Sequence, residues 1–149
     1  MFKDFVQKIK DKSQEMKTEA MKFKNKNFMN AVAASCAMVA RADGSIDDKE
    51  KQEMAKFIES YDTLKVFKTI DVIRAFNDFV EQYQFSDAIG EAKAMEAVGK
   101  FRGKEQEARL LVRICIAIGA SDGDFDDKEK QVVRKICHEL QLNAVEFEL

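Results

Sequence analysis

At 149 residues the chain is the size of one domain, long enough to bury a single core and too short for two independent ones. It has no proline and only six glycines, with 46% hydrophobic and 35% charged residues, a helical vocabulary that argues against a turn-rich all-β fold. The net charge of -2 is unevenly placed: residues 1–27 hold eight lysines against four acids, so a basic arm precedes an acidic body, and the body is unsuited to nucleic acid.

The arm, residues 1–23, carries Phe2, Phe5, Val6, Ile9, Met16, Ala20 and Phe23 at loosely helical spacing, with polar residues from Lys10 to Gln14 breaking the apolar stripe. Two readings are open. It is an amphipathic helix that frays or docks on its own body, or one that presents Lys3, Lys8, Lys10 and Lys12 to a membrane surface or an acidic partner. Its opening residues interleave charges with apolar side chains, unlike a signal-peptide core.

Residues 24–149 form the expected helical domain. A helix is expected from about Asn27 to Ala42, almost without a polar face and therefore surrounded by others. Others follow from Asp47 to about Tyr61, with Met54, Phe57 and Ile58 inward, from Thr69 as N-cap to about Tyr83, and from Ser86 or Asp87 to about Phe101, stopped by Gly103. Glu105 to Ala120 and Asp126 to about Leu140 complete seven helices. A last short turn begins at Asn143, from which Val145, Phe147 and Leu149 close over the core. No apolar run reaches the roughly 18 to 20 residues of a membrane span.

One phrase is written twice. Asp43-Gly44-Ser45-Ile46-Asp47-Asp48-Lys49-Glu50-Lys51-Gln52 returns 79 residues later as Asp122-Gly123-Asp124-Phe125-Asp126-Asp127-Lys128-Glu129-Lys130-Gln131, with eight of ten positions identical. Cys36 and Cys115 keep the same offset, so each copy reads as helix, acidic turn, helix, and the whole as an all-α, internally pseudo-symmetric single domain.

The phrase resembles the second half of an EF-hand loop, but the residues where the first half needs oxygen ligands are Val39 and Arg41 in copy one and Ile118 and Ala120 in copy two. The complete loop is absent. Turn and cap chemistry explains much of what remains. Gly44 and Gly123 permit positive φ, Ile46 and Phe125 plug the hairpin, and Asp47 and Asp126 cap the next helix with Glu50 and Glu129 closing capping boxes. Asp48 and Asp127 sit in a first turn, where the helix dipole favours acids. The crowding of carboxylates leaves a second reading open, in which Asp43, Asp47, Glu50, Asp122, Asp124, Asp126 and Glu129 also hold a divalent cation (Ca2+, Mg2+ or Zn2+), with Asp48 and Asp127 contacting a basic partner. Copy two is the stronger candidate because Asp124 replaces Ser45.

Lys24-Asn25-Lys26-Asn27-Phe28-Met29, the doubled Asp-Gly turns, Leu64-Lys65-Val66-Phe67 with Val72-Ile73, Ile89-Gly90 and the closing Glu146-Phe147-Glu148-Leu149 together resemble the tellurite-resistance TerB family. The resemblance implies an all-helical cytoplasmic domain of bacterial tellurite-resistance and stress systems. It implies partners as well: a TerC-like integral membrane protein and TerD-like calcium-binding proteins. Enzymatic reduction of tellurite is not implied.

Cys36 and Cys115 lie on the two most apolar helices and are expected to be buried. A thiol-based oxyanion sensor is the minority reading, because apolar burial suppresses thiolate formation. Cys137 and His138 diverge on a helix, and phosphate-binding loops, nucleophile elbows and zinc motifs are missing. The expected function is therefore a non-enzymatic adaptor or metal-responsive interaction module, cytoplasmic and monomeric alone, with peripheral contact at the inner membrane through the arm left open. A generic weak cation buffer without an obligate partner is the alternative.

Overall fold

The polar interruption between Lys10 and Gln14 splits the arm in two. In the computed structural model, which describes residues 2–42, 44, 46–121 and 125–149, α1 (Phe2–Asp11) and α2 (Ser13–Phe23) meet at Lys12, so the described residues contain eight α-helices where seven were expected. The apolar sides of both turn onto the body. Ile9, Met16 and Ala20 are buried, and Phe2, Phe5, Val6 and Phe23 pack against the core, while Lys3, Lys8, Lys10 and Lys12 stay exposed.

The repeat governs the body. α3 (Lys26–Ala40) and α7 (Glu105–Gly119) have bounds separated by the same 79 residues, as do α4 (Asp48–Ser60) and α8 (Asp127–Glu139). Their ends share backbone geometry too: Arg41 closes α3 at φ -87°, ψ -1° and Ala120 closes α7 at φ -88°, ψ -1°. α3 is buried without interruption from Ala31 to Val39, and its one polar residue there, Ser35, donates its hydroxyl to the Ala31 carbonyl at 2.8 Å. Alanines on α3 let neighbouring helices approach closely. The bulk of Leu110, Leu111, Val112, Ile114 and Ile116 on α7 fills the space that remains.

Between the copies run α5 (Thr69–Phe85) and α6 (Asp87–Gly99), packed on each other and against α3. Thr69 is the first helical residue and not the cap; Lys68 precedes it without a capping side chain. Ser86 does cap α6, accepting from the Ile89 N–H at 3.3 Å. A short 3-10 helix, Asp62–Val66, follows α4 and had no signal in the hydrophobic periodicity; it buries Thr63, Leu64 and Val66 under α2. A second, Ala144–Phe147, follows α8 and buries Phe147, whereas Val145 projects outward at 73% exposure instead of closing the core. Phe28 on α3 joins these parts, meeting Phe101 edge-on at 5.4 Å and Phe67 at 6.4 Å.

Exposed ion pairs link elements far apart in the chain: Arg102 to Glu139, Arg109 to Glu146 and Lys135 to Glu91. Being solvated, each adds little beyond orientation. No helix among the described residues is long and apolar enough to cross a membrane.

Candidate functional site: two acidic corners and the groove between them

Each corner begins where a helix runs out of backbone partners. In copy one Arg41 and Ala42 close the last turn of α3, Gly44 follows at φ +125°, a conformation that only glycine adopts without strain, and Ile46 is buried as the plug. Asp47 then stands in extended backbone and accepts the Glu50 N–H at 2.8 Å, starting α4. The start of α8 repeats the start of α4. Asp126 accepts the Glu129 N–H at 2.8 Å, and Glu129 returns the bond by accepting the Asp126 N–H at 3.2 Å, closing a capping box.

The plug of copy two is held differently. Phe125 lies over Gly119, where a Cβ would come within 2.4 Å of its ring, and it also meets the ring of Phe2 in α1. Only a residue without a side chain fits beneath it. The end of α3 is anchored by Arg41, whose guanidinium reaches Asp87 at 2.5 Å and lies 5.3 Å from the Tyr83 ring. Tyr83 donates to Glu91 at 2.7 Å, and burial followed by that bond to a carboxylate pushes its phenol well above its ordinary value. Arg41 and Val39, which spoil an EF-hand loop, thus have structural duties of their own.

Between the corners lies a groove of about 440 Å³. Its apolar lining is Val39, Met54, Phe57 and Ile118, and its polar lining includes Glu50, Glu53, Lys56, Ser121 and Glu129. Val39 is the repeat equivalent of Ile118, and Glu50 that of Glu129, so the groove marks the seam where the two copies meet. Met54 and Phe57, expected to face the core, are only partly buried because they open onto this seam.

The expected site residues are therefore divided. Glu50 and Glu129 share the groove. Asp47 and Asp126 each commit an oxygen to a cap, and Asp48 and Asp127 stand exposed in first turns, Asp48 within 3.8 Å of Lys51. Asp43, Asp122 and Asp124, and Gly123 with them, lie outside the described residues. Among the described residues no group of three or more His, Cys, Asp or Glu side chains is placed to hold a metal ion. The arm lysines belong to another surface, Lys8 and Lys12 lining a separate cleft between arm and body with Glu15, Glu19, Arg113 and Glu146.

The thiols are buried, as expected for Cys36 and Cys115, and Cys137 joins them. Burial pushes Cys115 up to about 12 and Cys137 up to about 11, and Cys36 higher still, so none carries appreciable thiolate near neutral pH.

Residues 29–149 match the family model described as "Tellurite resistance protein TerB". A stretch of 56 residues is 39% identical to the tellurium resistance protein TerB of Alcaligenes sp., covering 38% of this chain and 46% of that relative, so the matched stretch spans less than half of it. No solved structure matches the chain. With the family model covering both corners and the helices that carry them, the chain belongs to the TerB tellurite-resistance family.

Proposed function

We propose that this protein is a cytoplasmic, non-enzymatic adaptor of a bacterial tellurite-resistance and stress system, using its two acidic corners to contact a basic partner surface or a divalent cation. Family membership supports the tellurite-resistance role, and the family is not a known enzyme family. The observation that carries the adaptor reading is the convergence of Glu50 and Glu129 on one groove, which makes a single acidic surface from two distant stretches of chain. Asp47 and Asp126 favour an adaptor over a plain cation buffer, since each spends an oxygen on a helix cap.

The partners are a TerC-like integral membrane protein and TerD-like calcium-binding proteins. Contact with the inner membrane would then be indirect, because the apolar side of the arm is occupied by the body. The test is co-purification of the full chain with such proteins from cells under tellurite stress, beside calorimetry with Ca2+, Mg2+ and Zn2+. The expected result is capture that Asp48→Lys with Asp127→Lys abolishes, these being exposed carboxylates outside the caps. Strong heat with a divalent ion and no capture of either partner would replace the adaptor with the buffer.

A further inference from the structure

The groove at the repeat seam has a shape and charge that narrow what the acidic surface takes, and on the adaptor reading we infer that it is the docking site for a cationic amphipathic helix of a partner protein. Its volume of about 440 Å³ suits a few apolar side chains. Val39 and Ile118, both buried, form the floor of an apolar trough, and the half-buried Met54 and Phe57 form its accessible wall. Phe57 is stiffened by stacking on Tyr61 at 4.9 Å, so one wall is preorganised. Among the described residues, three carboxylates, Glu50, Glu53 and Glu129, and one cation, Lys56, line the same trough, Glu129 with one oxygen already on the Asp126 N–H.

Charge complementarity selects the occupant. An apolar trough edged by carboxylates rewards a helix with apolar residues at i, i+3 or i+4 and flanking Lys or Arg, and penalises acidic or neutral helices. The chain's own arm has that chemistry but is placed elsewhere, with Phe2 on Phe125 and Phe5 on Phe147, so the trough is left for another protein. A metal ion alone would leave the apolar trough without a use.

The experiment titrates the isotope-labelled full chain with a leucine–lysine peptide of about 18 residues, its leucines at helical spacing, and with a scrambled peptide of the same composition. Expected are NMR shift changes at Val39, Met54, Phe57, Ile118 and Ser121 with the patterned peptide alone. Glu53→Lys, on an exposed residue, should weaken binding by about tenfold without changing the melting temperature. Equal binding of the scrambled peptide, shifts centred elsewhere, indifference to Glu53→Lys, or concentration-dependent shifts without peptide that indicate a second copy would each overturn the inference. The two readings fail separately: partner capture lost in Asp48→Lys with Asp127→Lys but intact in Glu53→Lys, with no peptide in the trough, would overturn the trough and keep the adaptor, whereas peptide in the trough with no partner captured from cells would overturn the adaptor.

Discussion

The rings of Phe2 and Phe125 meet with centroids 5.1 Å apart and planes tilted by 59°, joining the arm to the plug of the second acidic corner. Lys130, one turn into α8, places its ammonium 4.9 Å from the Phe2 ring, so the arm also touches the helix that this corner starts. The first corner is finished by Ile46, which is buried and lines a pocket with Val80 and Tyr83 of α5. Two nearly identical phrases are therefore completed by different partners.

Phe2→Ala should loosen α1 while leaving the rest of the fold intact. The lost aromatic and cation–π contacts are worth about 1 to 2 kcal/mol together, less than a core phenylalanine because Phe2 is only partly buried. Hydrogen exchange should accelerate across Phe2–Asp11 with little change in α3 or α7. Unchanged exchange in α1 would show that Phe5 and Ile9 hold it alone. Gly119→Ala acts on the same stack from below and should cost about 1 to 3 kcal/mol by displacing Phe125.

Releasing the arm without altering it is possible from the other side of that contact. Phe125→Ala keeps every residue of α1 and removes its partner, so recovery of the full chain on vesicles of anionic lipid should rise above that of the unmodified chain. The unmodified chain should bind poorly, since the apolar side of α1 is spent on the body. Equal recovery of both would mean that the arm does not act as a membrane-binding helix even when freed.

Cap and charge at the corners can be separated by substitution. Asp47→Ala and Asp126→Ala should each destabilise by about 1 kcal/mol in urea unfolding, since each removes the side-chain acceptor of its helix cap. Asn caps nearly as well as Asp, so Asp47→Asn and Asp126→Asn should stay within about 0.5 kcal/mol of the parent. If the asparagine pair keeps stability but loses partner capture, the charge has a role beyond the cap.

The buried thiols make alkaline stability fall in a defined window. An unfolded thiol titrates near 9.0, whereas burial holds Cys115 protonated to about 12 and Cys137 to about 11. Between those limits the unfolded chain has released protons that the folded chain retains. Stability is therefore complete below pH 9 and declines above it, by about 1.4 kcal/mol per pH unit for each such thiol. Tyr83, also raised by burial and its bond to Glu91, adds to the decline at higher pH. Urea unfolding from pH 7 to 10 measures the slope, and a flat or rising profile would contradict it. At pH 8 a thiol reagent should label the folded chain only as fast as it opens.

The repeat was legible because identity at a constant offset survives without knowledge of packing, and with it came α3, α4, α7 and α8, the caps at Asp47 and Asp126, and the burial of Cys36 and Cys115. Local chemistry decides such features: an apolar helix must be surrounded, and an aspartate before a helix accepts its free N–H groups. The 3-10 helix at Asp62–Val66 escaped, since five residues carry too little periodicity to be distinguished from a loop. The seam could not be read at all. Val39 and Ile118 entered the sequence argument only as residues that spoil a calcium loop, yet they line the groove between the corners. That placement follows from how α3, α4, α7 and α8 pack across a long separation in sequence, and no local preference encodes which pair of equivalent residues will meet. The arm was ambiguous for the same reason: its spacing specified an amphipathic helix, while docking of Phe2 and Phe5 on Phe125 and Phe147 depended on a surface that exists only after the body has folded.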